Sequence, residues 1–429
     1  MSLLLQHGTV IDPAQDLEKQ ADLLIERGKI SRIGKIQAKK SWQVVDVTGC
    51  IVAPGFVDMH VHLREPGRED KETILTGSRS AVAGGFTSIV CMPNTTPVND
   101  CEAITRLIRG RAREAGLVNV FPVGAITKGS WGVELAEIGE MFKAGIVAIT
   151  DDGHPVQNSQ VMRRALEYSK IFDIPVLDHC EDLPLSAEGC MNEGAVSTQL
   201  GLRGLSRSAE EVHVARDIIL SRITGGRVHI LHLSTRESLD WVRVAKQQGI
   251  AVTCEVTPHH FSVSEHDIKD YDTNYKMMPP LREPEDVEAM IQGLVDGTID
   301  AIGTDHAPHT RLDKEVPFED AASGVIGMET AIPLSWELLV RGELVSKRRL
   351  VELFTVNPCR ILKLSKGTLE EGVDADVTVI DPDQEVTIDV SRFCSKARNC
   401  PFHGWKLHGA PALTVVGGKI VHRDIAFAR

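Results

Sequence analysis

Ile51-Val52-Ala53-Pro54-Gly55-Phe56-Val57-Asp58-Met59-His60-Val61-His62 is an apolar run that ends on two histidines one residue apart. Alternate residues of a strand face the same way, so His60 and His62 project to one side about 7 Å apart along the backbone. Two imidazoles held at that spacing can grip one metal ion. A pair alone proves little; the case rests on what other strand ends supply.

The following 300 residues alternate apolar runs with helix-like segments such as 158–172 and 234–248, the pattern of repeated βα units. Strands are predicted at 55–62, 87–93, 118–125, 145–151, 174–179, 227–233, 251–257 and 299–304. Eight such units fit a (β/α)8 TIM barrel, whose catalytic groups sit at the C-terminal strand ends. A doubly wound open sheet has no reason to place polar ligands on so many separate strands.

Both chain ends have a different texture. Short apolar stretches (Leu3–Leu5, Ala21–Ile25, Ile30–Ile33, Val44–Val47) are separated by glycine turns, and Ala375–Ile380 and Thr414–Val421 repeat the pattern. We expect residues 1–53 and 365–429 to meet in one small β-sandwich domain, with the barrel spanning 54–364.

Five predicted strands end in possible ligands: Asp58-Met59-His60-Val61-His62, Thr150-Asp151-Asp152, Asp178-His179-Cys180-Glu181, Leu231-His232-Leu233 and Thr304-Asp305-His306. Barrel closure brings all five to one mouth. Ionisable groups buried there without partners are costly, so a metal is the economical explanation, and imidazole with carboxylate suits zinc or a similar divalent ion. His229 and His232 lie an odd number apart, so on a regular strand only one enters the mouth. His259 and His260 suit a supporting position behind the ligands, as does Asp58. His7, His154, His213, His229, His266 and His422 read as structural or surface histidines.

The bulk composition excludes several classes. A net charge of −13 leaves no basic stripe for nucleic acid. No apolar stretch reaches the roughly 18 residues that span a bilayer, and the Met-Ser-Leu-Leu-Leu start lacks a basic leader, so a cytoplasmic protein is expected. Nine scattered cysteines without CxxC spacing read as small buried hydrophobes rather than disulfides or thiolate ligands.

Asp58-Met59-His60-Val61-His62-Leu63-Arg64-Glu65-Pro66-Gly67 and Gly303-Thr304-Asp305-His306-Ala307-Pro308-His309, with Lys314 beyond, resemble the two signatures of the dihydroorotase family in the cyclic amidohydrolase superfamily. Cys91-Met92-Pro93-Asn94-Thr95, Asp151-Asp152-Gly153, Asp178-His179-Cys180-Glu181 and the split terminal domain extend the likeness over nearly the whole chain. Related hydantoinases and allantoinases bridge their metals with a carboxylated lysine, which the fourth strand end does not offer. Spacing leaves Asp151 and Asp152 open as the bridge; the resemblance favours Asp152.

That resemblance implies two zinc ions bridged by Asp152 and a water or hydroxide. His60, His62, Asp152 and Asp305 would surround one ion, and Asp152, His179 and His232 the other. It implies that Asp305 carries the catalytic proton, and that His62, Arg64, Asn94 and His309 bind the substrate. The substrate would be N-carbamoyl-L-aspartate or dihydroorotate, in pyrimidine biosynthesis. A homodimer and an aspartate transcarbamoylase partner are further implications. The competing readings are a hydantoinase- or dihydropyrimidinase-like amidase and a non-catalytic barrel that scaffolds aspartate transcarbamoylase. Two positions depart from the family pattern: Met278 stands where asparagine is common, and Ala322-Ser323 where Pro-Phe is common.

Overall fold

The computed structural model describes residues 2–425 and 427. Five strands open the chain: β1 (Ser2–Asp12), β2 (Leu17–Glu26), β3 (Lys29–Gly34), β4 (Gln43–Asp46) and β5 (Ile51–Pro54). The barrel staves follow as β6 (Phe56–Val61), β7 (Phe86–Cys91), β8 (Asn119–Pro122) and β9 (Val176–Asp178). After a short pair outside the barrel, β10 (Met191–Asn192) and β11 (Gly204–Leu205), come β12 (Val228–Ile230), β13 (Val252–Val256) and β14 (Ala301–Ile302). The chain then returns to the first sheet as β15 (Val377–Thr387), β16 (Lys406–Val416) and β17 (Lys419–Arg423).

The two chain ends meet in one eight-stranded sheet, ordered β17-β16-β15-β5-β1-β2-β3 with β4 on β1. Leu5, Leu23, Ile25, Val52, Val377, Val379 and Leu413 share one apolar core, so the two arms of the sheet face each other across it as the layers of a sandwich. Gly418 approaches Gly28 so closely that a Cβ on it would lie 2.7 Å from the Gly28 Cα. Both glycines have positive φ, and this contact brings the turns of the two arms together.

Parallel pairing runs β6-β7-β8 and β9-β12-β13-β14. The gap between the two groups is filled by Ile149, which bridges Gly124 on one side and Val176 on the other. The ring closes where Val61 bridges His306 and the His62 N–H donates to the His306 carbonyl. The sequence predicted a regular fourth strand over 145–151, and here the structure differs. Backbone bonds still join this segment to its neighbours, the Thr150 N–H to Gly124 and the Ile149 N–H to Pro175, and at its exit the Asp151 Oδ1 accepts the Ile126 N–H at 2.8 Å and the Thr127 N–H at 3.1 Å as well.

Val57, Met59, Val90, Val123, Ala148, Leu177, Leu231 and Ala301 form an apolar cluster with Ile361 and Leu362 of the helix Val356–Leu362. That helix packs under the N-terminal strand ends, beside Pro175, Val228 and Ala251. The lower end is thereby filled, and the mouth opens at the C-terminal strand ends. The predicted helices sit as Ser159–Phe172, capped by the Asn158 side chain on the Gln160 N–H, and Arg236–Gln247, capped by Thr235 on the Ser238 N–H. Among the described residues no helix is long and apolar enough to cross a membrane.

Candidate metal centre

His60 and His62 leave the end of β6 with their rings 5.4 Å apart and both Nε2 atoms aimed at the same two carboxylates. His60 Nε2 lies 3.4 Å from Asp152 Oδ2 and 3.5 Å from Asp305 Oδ1. His62 Nε2 lies 3.3 Å from Asp152 Oδ2 and 2.9 Å from Asp305 Oδ1. The other Asp152 oxygen faces a second pair: Oδ1 is 3.4 Å from His179 Nδ1 and 3.6 Å from His232 Nε2. The structure thus brings together all six residues the sequence nominated as ligands, with Asp152 between two histidine pairs.

A metal fits these donors. Ligand atoms around a tetrahedral zinc at about 2.0–2.1 Å stand about 3.3–3.4 Å apart, close to the spacings between Asp152 and its histidines. His60 Nε2 is buried with no hydrogen-bond partner, an atom that only a cation or a proton would satisfy. Burial disfavours charge on the His60 ring, but Asp305 and Asp152 together push its pKa well above the ordinary imidazole value. Burial likewise opposes charge on Asp152, yet His60 and the hydrogen bonds from His179 and His232 hold it well below the usual carboxylate range. The site favours positive charge, which a metal supplies more strongly than protons do.

Two of the six depend on backbone that non-glycine residues rarely adopt: φ is 31° at His232 and 47° at Asp305. β12 ends at Ile230, so strand parity does not reach His232. Its left-handed turn brings Nε2 into the mouth, while His229 stays on the strand and faces the barrel interior. Asp151 points away and is spent on the 126–127 backbone. His306 is also turned aside, its Nδ1 accepting the Gly327 and Met328 N–H groups at 3.3 and 3.4 Å.

The supporting groups differ from those expected. Asp58 touches no ligand ring. It accepts the Thr304 and His60 backbone N–H groups and the Thr304 hydroxyl, tying the ends of β6 and β14, and burial raises its pKa to about 7. His260 bonds Thr257 and the Pro279 carbonyl, a structural role. The residue missed by sequence reasoning is Glu255, whose Oε1 sits 2.7 Å from His60 Nδ1. Glu181 does the same for His179 Nε2 at 3.0 Å, and the Asn94 amide oxygen for His62 Nδ1 at 2.9 Å. Such outer partners fix the ring orientation of a ligand histidine.

A cavity of about 450 Å³ opens over this cluster, lined by His62, Asn94, Asp152, His179, His232 and Asp305 on the metal side. Arg64, His309, Met278, Ser323 and Gly324 form another wall, and His154, left to the surface by the sequence reading, lies on the rim. Arg64 is half-buried with φ 61°; its Nε donates to the Pro308 carbonyl and its Nη2 lies 3.5 Å from His309 Nε2. Burial lowers its pKa to about 10, which keeps it charged near neutrality. The buried Lys71 ammonium lies 3.1 Å from His309 Nδ1 and 3.1 Å from Asp313. An ammonium can only donate, so His309 Nδ1 accepts and Nε2 carries the proton, which it donates to the Ser323 carbonyl at 2.9 Å. This wall presents the Arg64 guanidinium to the cavity, and among the described residues no lysine lines it.

A third cluster, Asp178, His213 and Asp217, is buried behind His179. Arg216 already supplies its cation, at 2.8 Å from Asp217 and 3.5 Å from Asp178.

Comparison with known proteins places these features among relatives. A family described as Dihydro-orotase-like matches residues 49–238, and one described as Amidohydrolase family matches residues 243–422. A dihydroorotase of Geotalea daltonii is 51% identical over 424 residues, covering 99% of this chain and 100% of the relative. A dihydroorotase of Pelotomaculum thermopropionicum is 51% identical, with 99% of each chain covered. Among solved structures, an L-hydantoinase (dihydropyrimidinase) from Arthrobacter aurescens superposes with a TM-score of 0.88 at 25% identity, over 98% of this chain and 96% of that one. A D-hydantoinase at 21% identity and a TM-score of 0.87 shares the fold.

Proposed function

The chain belongs to the dihydroorotase family, a metal-dependent group of hydrolases acting on cyclic amides, and from that premise we infer that it interconverts N-carbamoyl-L-aspartate and (S)-dihydroorotate. The observation that carries this reading is one cavity with a cation-seeking cluster on one wall and Arg64 with His309 on another. A ring amide beside a carboxylate matches that pairing of walls.

We assign two zinc ions to the cluster, one held by His60, His62, Asp152 and Asp305 and the other by Asp152, His179 and His232. When bound, such ions supply Lewis acidity and lower the pKa of water from 15.7 toward about 7. The chain's own residues do the rest. In the hydrolytic direction water adds to the ring carbonyl carbon and the ring C–N bond breaks. Asp305 accepts the proton that the water loses and delivers it to the departing nitrogen. Burial opposes charge on Asp305, but His60 and His62 keep it ionised and ready to accept. In the biosynthetic direction the same proton travels back, and water leaves.

Arg64 offers a planar fork that pairs with a carboxylate through two hydrogen bonds. The Asn94 amide nitrogen and His309 complete that side of the cavity. The barrel, residues 54–364, carries the reaction, and segments 1–53 and 365–429 support it. A soluble homodimer in the cytoplasm and a docking role toward aspartate transcarbamoylase accord with the family resemblance.

Arg64→Ala is expected to raise KM for dihydroorotate by about 10- to 100-fold, the worth of a charge-assisted hydrogen-bond pair, with kcat changed far less. Steady-state kinetics test this, and an unchanged KM removes Arg64 from the substrate site.

Met278 and Ser323 line the cavity where the family pattern has an amide and an aromatic ring, which favours a second reading: an amidase for uncharged rings. Comparing dihydroorotate with dihydrouracil and hydantoin separates the two. Our reading requires dihydroorotate to have the highest kcat/KM; equal or better turnover of hydantoin overturns it.

A further inference from the structure

Glu255 lies on β13 with its side chain wholly buried, inside the barrel and below the mouth. Its Oε1 is 2.7 Å from His60 Nδ1. Its Oε2 is 3.5 Å from His229 Nε2 on β12, and neither of these two atoms makes a hydrogen bond. His229 Nδ1 in turn meets the Thr253 hydroxyl at 2.8 Å. A single carboxylate thus reaches across the barrel from its own stave to the first and the sixth.

The eighth stave makes room for it. A Cβ on Gly303 would lie 2.5 Å from Glu255 Oε2 and 2.7 Å from its carboxyl carbon. Any larger residue there displaces the carboxylate, which explains a glycine two residues before Asp305 without appeal to its φ. Burying a carboxylate in this way is costly unless it is hydrogen-bonded and does something the fold needs.

We propose that Glu255 is a positioning residue that fixes His60 as the Nδ1–H tautomer with Nε2 free toward Asp152 and Asp305, and that Gly303 and His229 hold the carboxylate in place for that task. A neutral imidazole has one proton, and a carboxylate can only accept, so the 2.7 Å contact assigns that proton to Nδ1. The lone pair of Nε2 then points at the cation position, and the carboxylate raises its basicity as a ligand. His229 Nε2 stands 3.5 Å from the second oxygen, an ion-pair contact and not a hydrogen bond, and the Thr253 hydroxyl holds its Nδ1, so the ring borders the carboxylate and limits its turning. The effect is selective, because His60 faces the group formed with His62 and Asp305, whereas His179 and His232 lean on Glu181 and Asp152.

This inference rests on the metal reading, and the experiment keeps the two apart. Zinc is titrated into metal-free wild type, Glu255→Gln, Glu255→Ala and Gly303→Ala against a chromophoric chelator, with thermal unfolding as a check on folding. Imidazole 15N spectra of the zinc-loaded proteins, in which His60 is a neutral ligand, report which of its nitrogens carries the proton. Wild type should bind two zinc ions; fewer would sink the metal reading itself. Glu255→Ala and Gly303→Ala should weaken one of the two ions by about 10- to 100-fold, the usual cost of losing an outer partner, and leave the other unchanged. Glu255→Gln keeps an acceptor for Nδ1–H and should lose less than Glu255→Ala. The protonated Nδ1 signal of His60 should persist in wild type and be lost or averaged in Glu255→Ala. Two ions bound with wild-type affinities in folded Glu255→Ala would overturn the proposal, as would equal weakening of both ions or an unaltered His60 spectrum. If Glu255→Ala does not fold, Glu255→Gln and Gly303→Ala carry the same test.

Discussion

Asp305→Ala should lose turnover by about 10³- to 10⁴-fold, the upper range for removing a general acid–base group, while KM moves little. Asp305 stands 2.9 Å from His62 and 3.5 Å from His60, at the edge of one metal group and away from His179 and His232. Its loss therefore leaves the donors of the second group whole, and at least one zinc per chain should remain by elemental analysis. In the proposed mechanism the carboxylate would serve both as proton carrier and as ligand, so its two contributions would not separate by addition. Asp305→Asn keeps an oxygen ligand and discards the proton acceptor. It should be nearly as inactive as Asp305→Ala but retain more metal. Near-normal kcat in either variant removes Asp305 from its assigned role.

Asp152→Ala should be the more damaging change to the metal centre. One of its oxygens faces His60 and His62 and the other faces His179 and His232, so a single substitution strips a donor from both groups. We expect fewer than one tightly held ion per chain and turnover at background. The neighbouring carboxylate is the control. Asp151 accepts from Ile126 and Thr127 and offers nothing to the cavity. Asp151→Ala should cost about 1–3 kcal/mol of stability, the penalty for leaving buried backbone donors unpaired, and retain its metal. Measured side by side by thermal unfolding and metal content, the two variants should fail in opposite ways. Loss of both ions from Asp151→Ala with retention in Asp152→Ala would reverse the assignment of the bridge.

The barrel was legible because every stave is a short apolar run and five of the eight predicted ones also end in an ionisable residue at the exit. The fourth stave was legible over 145–151 as an apolar run, but the turning of Asp151 away from the mouth was not, since it requires knowing where residues 126 and 127 lie. His60, His62, His179 and Asp305 were legible for the same reason as the staves. His232 was harder: parity allowed one of His229 and His232 at the mouth, but only the left-handed turn after Ile230 shows which.

Glu255 was overlooked although a signal existed. A glutamate inside Val252-Thr253-Cys254-Glu255-Val256 cannot be both buried and idle, and the cost of desolvating it should have prompted a search for its partner. Its partners His60 and His229 are 195 and 26 residues away in sequence. Lys71 escaped for a related reason. It reads as one surface charge among Arg68, Glu69, Asp70 and Glu72, yet it is buried against His309 and Asp313.

The central claim is that six side chains from five strand exits share two cations. Elemental analysis of freshly purified, fully active protein, followed by removal and stepwise return of zinc, tests it directly. Two ions per chain, with activity lost on removal and complete only after the second equivalent returns, is the predicted result. Full activity in protein holding one ion or none would contradict it.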